Sequence, residues 1–220
     1  MIATGRTNGQ KACTVVRLPT IIVTGAAIRA DRPWMTRRDL RCRSVSRVTV
    51  RGVTEPVGER PYMPDYGVES EGWRALPWSW AAQRLDGARN YWVVTVSGQG
   101  RPHALPVWGV WNDGEHRFCF SCGPRSRKAR NLAANPRVTI ASEDTVEALS
   151  LEGVAAPVTD DDRREVWIDR YVDKYRSLAP ELSKDFLRAN LVVEVTPDRA
   201  FAVIEREDEF SQRATRWQCA

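Results

Sequence analysis

From Pro77 onward, apolar and polar residues alternate in short blocks, and most blocks have the period of a strand rather than a helix. Tyr91–Ser97 (YWVVTVS) is β-branched or aromatic on both faces, as a strand covered on two sides should be. Gly98-Gln99-Gly100 then turns the chain into a second strand, His103–Trp111, and Asn112-Asp113-Gly114 turns that into a third, His116–Cys122. In the second strand His103, Leu105, Val107, Gly109 and Trp111 share one face, and Ala104, Pro106, Trp108 and Val110 the other. A Pro and a Gly within it point to an edge, a bulge or the close approach of something flat.

Helical spacing interrupts these strands at a few places. Trp78, Ala81, Ala82 and Leu85 mark one face of a short helix that Gly87 can end. A second helix spans about Ser126 to Asn135 and stops at Pro136. Arg137–Ser142 and Ala148–Val158 read as further strands. Thr159 followed by Asp160, Asp161 and Asp162 opens a third helix, which turns Trp167, Tyr171, Val172 and Tyr175 toward a core. After Pro180 come a short helix and the strands Leu191–Thr196 and Ala200–Glu205, with Pro197-Asp198 as their turn. About seven short strands with helices inserted, and no βαβ alternation, predict a mainly β fold of the α+β kind, an antiparallel barrel with short peripheral helices. Neither GxGxxG nor GxxxxGKS occurs, and Gly98–Arg101 falls in a hairpin turn, so a parallel dinucleotide-binding fold is excluded.

Charge divides the chain differently. Of 220 residues, 33 are Lys or Arg and 28 Asp or Glu, a net +5, with a pI near 9.1. Residues 1–62 hold twelve of the basic residues and four of the acidic ones, a balance of +8; residues 63–220 carry 21 against 24, or −3. The basic pI therefore belongs to a segment with no sustained period, and residues 1–62 are expected to be a disordered extension ahead of a domain at 63–220. Met63, where the charge changes sign, is a candidate start of translation. A nucleic-acid partner would have to use this extension and is not expected.

Five cysteines, Cys13, Cys42, Cys119, Cys122 and Cys219, form no disulfide framework and suggest a reducing, cytoplasmic setting. Cys119 and Cys122 have CxxC spacing, but in a strand they face opposite ways, and with two histidines in the chain no metal site is expected. The apolar run Leu18–Ile28 is broken by Pro19, Thr20, Thr24 and Gly25, and no run reaches the ~20 residues of a membrane span, so no membrane partner is expected either.

The chemistry concentrates in Arg101–Pro136. Arg125, Arg127, Lys128 and Arg130 crowd the start of the second helix, where orphan N–H groups and the helix dipole already make the potential positive. Cations there cost roughly 0.3–1 kcal/mol each when unanswered, and a bound phosphate is the simplest answer, with a solvated basic turn as the alternative.

Three stretches, PHALPVWG at 102–109, FCFSCGPRSRKARNLAANP at 118–136 and ATRW at 214–217, give the chain a family resemblance. Over roughly Asp65 to Trp217 it resembles the flavin and deazaflavin oxidoreductases of the pyridoxamine 5'-phosphate oxidase-like split β-barrel superfamily. The resemblance implies a homodimer whose flat cofactor lies between subunits. By position, Arg127 and Lys128 match the phosphate-binding pair, and Ser121 and Cys122 the strand-end residues beside it. Val107, Trp108 and Gly109 match the strand lining the ring edge, and Trp217 a C-terminal aromatic near the pocket. Asn131 lies on the same helix face as Arg127 and Lys128 and would add a polar contact. Cys122 departs from the hydroxyl residue usual there, and a thiol is a weak donor.

The implied activity is hydride transfer between a bound cofactor and a small organic acceptor. The cofactor expected is a deazaflavin coenzyme of the F-420 type, favoured by KARNLAANP and ATRW, with FMN as the alternative. The ring carries the chemistry, so no catalytic residue is assigned. The competing function is a non-catalytic carrier or sensor of flavin, deazaflavin or haem in the same fold. Acceptor specificity is expected in the segment before Tyr91 and around Glu143–Glu147.

Overall fold

The computed structural model describes residues 54–68 and 71–219; the expectations for the N-terminal extension lie, up to residue 53, outside the described residues. In chain order come β1 (Gly58–Glu59), α1 (Trp78–Gly87), β2 (Tyr91–Val96), β3 (Pro102–Val107), β4 (Gly109–Asn112), β5 (Arg117–Cys122) and α2 (Arg127–Ala134). Then follow β6 (Arg137–Ser142), β7 (Glu147–Pro157), α3 (Asp161–Tyr175), α4 (Lys184–Arg188), β8 (Leu191–Ile204), α5 (Phe210–Arg213) and β9 (Thr215–Gln218). Among the described residues the sheet runs β1-β9-β8-β7-β6-β2-β3, every neighbouring pair antiparallel, with β5 joining β8 to β4. This is an antiparallel split β-barrel with short peripheral helices.

Side-chain alternation produces two cores. Phe118 and Phe120 of β5 point into the barrel with Tyr91, Val93, Trp111, Ile140, Leu151, Val195 and Trp217. Cys119, from the other face of β5, joins Val110 and Val192 beneath Trp167, Ile168, Tyr171 and Tyr175 of α3 and Leu187 of α4. Cys119 and Cys122 thus fall in different cores, as their odd spacing requires. Trp78, Ala81 and Leu85 of α1 are buried on the barrel as their spacing predicts.

The structure departs from the pattern at four points. The second strand is cut at Trp108: β3 pairs with β2 up to Val107↔Tyr91, and β4 pairs with β5 from Gly109↔Phe120, so the chain changes partners across one residue. Pro197-Asp198 is no turn; β8 runs straight through it, and Pro197 lies opposite Gly153 where the β7 register shifts. A bulge is where a strand tolerates a residue with no N–H to donate. Asp160 rather than Thr159 caps α3, accepting the Arg163 N–H at 2.8 Å. Finally, Gly58 and Glu59, inside the segment expected to lack structure, pair with Trp217 and Arg216 of β9. Gly58 is needed there, because a Cβ would lie 2.8 Å from that of Ala75. β1 thus lies upstream of Met63, and a chain starting at that methionine would lack it.

Candidate functional site

The tight turn Gly123–Ser126, closed by Ser126 N–H donating to the Gly123 carbonyl at 2.9 Å, carries the chain from β5 into α2. Ser126 caps the helix: its Oγ accepts the Ala129 N–H at 3.2 Å, and its carbonyl accepts the Arg130 N–H. The N–H groups of Arg127 and Lys128, the first two helical residues, are left without intrahelical acceptors. Arg125, Arg127 and Arg130 are exposed and Lys128 is half-buried. Among the described residues none of these four, nor Arg101 just before β3, forms an ion pair, whereas ten other basic side chains do. Arg127 Nη1 lies 3.2 Å from His103 Nδ1. Desolvation first, and then the guanidinium groups of Arg127 and Arg101, hold the His103 imidazole below its ordinary pKa, so it is neutral at pH 7 and accepts from Arg127 through Nδ1.

Beside this helix start lies a cavity of about 440 Å³ with three walls. The first is the end of β3 and the break after it: Pro106, Val107 and Trp108. The second is the end of β5 and the α2 turn: Ser121, Cys122, Gly123, Ser126 and Lys128. The third comes from α3, α4 and the residues flanking α4: Tyr171, Leu182, Phe186, Leu187 and Asn190. Burial raises the Cys122 thiol pKa against the opposing hydrogen bond from Ser126 and the charge of Lys128, so the thiol stays neutral at pH 7.

Five of the nine residues singled out from sequence therefore line one cavity: Val107, Trp108, Ser121, Cys122 and Lys128. Arg127 stands outside it, on the exposed side of the helix start beside His103. The other three do not line it. Asn131 is buried and donates through Nδ2 to Thr95 Oγ1 of β2 at 2.9 Å, fixing α2 to the sheet. Its position on α2 places it on the barrel side, so it makes no contact with the cavity. Gly109 is buried with its N–H donated to Tyr175 Oη at 2.8 Å, and a Cβ on it would overlap the Phe118 ring. Its glycine is dictated by packing against β5. Trp217 is fully buried in the barrel core, edge-on to Trp78 with ring centroids 5.7 Å apart.

The segments expected to set acceptor specificity meet elsewhere. Glu143 accepts the Arg89 N–H at 2.8 Å and Asn90 Nδ2 at 2.9 Å, and Glu147 pairs with Arg84 and Arg206, at a separate cleft of about 360 Å³. The third wall of the main cavity was missed. Its one sequence signal is charge segregation on α4: Lys184 pairs with Asp169 and Arg188 with Glu165, both on α3, and Phe186 is left 60% exposed at the cavity.

Comparison with known proteins accords with this architecture. Residues 80–204, more than half of the chain, match the family model described as pyridoxamine 5'-phosphate oxidase. No curated protein matches the sequence. Among solved structures, an F420 reductase is 22% identical, with 60% of this chain and 97% of that one covered at a TM-score of 0.45. The heme storage protein HutZ from Vibrio cholerae is 22% identical over 56% of this chain and 92% of its own, at 0.45. A conserved hypothetical protein from Mycobacterium tuberculosis is 20% identical over 64% and 83%, at 0.49.

Proposed function

The chain belongs to the pyridoxamine 5'-phosphate oxidase family, and from that premise we propose that it is an oxidoreductase holding a deazaflavin coenzyme or FMN and transferring hydride between that ring and a small organic acceptor. The observation that carries this reading is the juxtaposition, in one cavity, of an uncompensated cationic helix start with a largely uncharged wall of Pro106, Val107, Trp108 and Tyr171. The donors fit a phosphate. The Lys128 ammonium, the Ser126 hydroxyl and the orphan N–H groups of Arg127 and Lys128 converge at the α2 turn, with Arg127 and the neutral His103 beside them. Cys122, as a neutral thiol, adds no charge and at most a weak donor.

A bound ring of this class supplies the hydride chemistry itself. The protein's part is to hold and shield. Lys128 and the helix start fix the phosphate, Val107 and Trp108 present a flat surface, and Leu182, Phe186 and Leu187 keep water from the opposite side. The cavity lining contains no Asp, Glu or His; of its remaining titratable groups Lys128 is assigned to the phosphate, Cys122 is held protonated by burial and the Tyr171 hydroxyl is donated to the Trp108 carbonyl. The same lining disfavours haem. Of the usual axial ligands it offers Cys122, held protonated by burial, and Tyr171, whose hydroxyl is already donated to the Trp108 carbonyl at 2.7 Å.

The protein acts as a homodimer in this reading. Trp92 of β2 is 45% exposed on the outer sheet face, in a groove with Ala141, Ala148, Phe201 and Val203, and its cross-strand partner Pro106 also lines the cavity. A second copy covering that face would border the cofactor site. The deazaflavin is favoured over FMN on the KARNLAANP and ATRW sequences.

Titrating the purified protein with FMN and with the deazaflavin coenzyme, and following ring absorbance or fluorescence, tests the proposal; no binding of either at about 100 μM, a free energy near −5.5 kcal/mol, defeats it. Changing Arg127→Glu together with Lys128→Glu removes cofactor binding and leaves the circular dichroism spectrum and melting temperature unchanged or slightly raised.

A further inference from the structure

We infer that Tyr171 and Tyr175, one turn apart on α3, are positioning residues that set the geometry of the cavity wall at Trp108, an inference that rests on the cofactor reading above. At Trp108 the chain leaves β2 for β5, so the corner has no continuous ladder to hold it. The two phenols do so instead. Tyr171 Oη donates to the Trp108 carbonyl at 2.7 Å, and Tyr175 Oη accepts the Gly109 N–H at 2.8 Å. Tyr175 Oη also lies 2.9 Å from the Gly109 carbonyl and 2.8 Å from that of Arg89; its single proton serves one of them at a time.

Packing repeats the arrangement. The Tyr175 ring stacks on Trp108 with centroids 4.6 Å apart and planes at 7°, and Tyr171 itself lines the cavity. Both tyrosines are buried, at 6% and 0% exposure, so neither hydroxyl can turn to water for a substitute partner. Burial raises both phenol pKa values, Tyr175 to about 12, which keeps them protonated across the working range. Two groups on one rigid helix thus clamp consecutive residues of the wall, one by its carbonyl and one by its N–H. The tilt of the Trp108 surface is a property of α3 rather than of the sheet. Nothing in the spacing of the α3 tyrosines separates this role from core packing, because their buried rings serve both.

The experiment compares Tyr171→Phe and Tyr175→Phe with Ile140→Val, a substitution in the barrel core on β6. Both phenylalanine variants should raise the dissociation constant for FMN or the deazaflavin about tenfold and change the visible circular dichroism band of the bound ring. Ile140→Val should lower the melting temperature but leave both readouts where they were. On the protein without cofactor, hydrogen exchange at the Gly109 amide should accelerate at least tenfold in Tyr175→Phe and not in Ile140→Val. If the wild type binds neither cofactor, the functional proposal fails while the exchange measurement still decides the clamp. Unchanged exchange at Gly109, or cofactor affinity and band shape that match the wild type in both variants, overturns it.

Discussion

Lys174 of α3 donates to Tyr91 Oη at 2.7 Å and lies over the rings of Tyr91 and Tyr175, with no carboxylate paired to it among the described residues. Burial lowers its pKa from 10.5 to about 8, against the weaker upward pull of Asp86 and Glu143. A lysine whose folded pKa lies below its unfolded one weakens the fold while both states are protonated. The penalty fades as pH rises through 8 toward 10.5 and the folded lysine loses its charge first. Lys174→Met is therefore expected to stabilise the protein at pH 7 by roughly 1 kcal/mol, after discounting for solvent screening of this partly exposed group and for the lost hydrogen bond. Urea unfolding at pH 7 and at pH 9.5 checks this; the gain must shrink at the higher pH, and a gain that grows would refute the assignment. At the same scale, Asn131 shows what residue spacing alone misses. Its place on α2 was legible, but whether it faced an anion or Thr95 depended on how the helix docks on β2.

Elements were legible where the information is local. β2 follows from β-branched and aromatic content, β5 from the turn that precedes it, α1 from its apolar spacing, and the end of α2 from the following Pro. The basic helix start beside the cavity was readable for the same reason, since Arg125, Arg127, Lys128 and Arg130 lie within six residues, although Lys128 alone of the four lines the cavity. The α3–α4 wall was not, because Leu182 and Phe186 reach the cavity through the docking of α4 on α3, by the buried Leu187 and by ion pairs between the two helices. Nor was the passage of β8 through Pro197, which a turn signal masked and which requires a partner that bulges. That partner is Gly153: a Cβ there would overlap the Thr196 carbonyl oxygen and stand 2.8 Å from Pro197 Cα, both backbone atoms that cannot swing aside. Gly153→Ala is expected to cost about 3 kcal/mol through this overpacking. Chemical denaturation measures the loss, and a cost below 0.5 kcal/mol would mean that the bulge relaxes freely.

At the scale of the whole molecule, one sheet face is left uncovered among the described residues, and Trp92 with Ala141, Ala148, Phe201 and Val203 makes it apolar. The proposed homodimer uses this face. Light scattering at micromolar concentration is expected to give twice the chain mass for the wild type and the chain mass for Trp92→Glu, with cofactor affinity falling in the variant because Pro106 borders both surfaces. A monomeric wild type would remove the dimer from the proposal. The pairing of Gly58 with Trp217 and Glu59 with Arg216 also has a consequence for how the chain is made. These contacts join residues more than 150 positions apart, and β8 must be in place before β9 can dock on it. Non-local closure of this kind is slow. During synthesis the exposed edge of β8 therefore waits, unpaired, until the ribosome has released residue 217, and the nascent chain is most open to wrong strand partners in that interval.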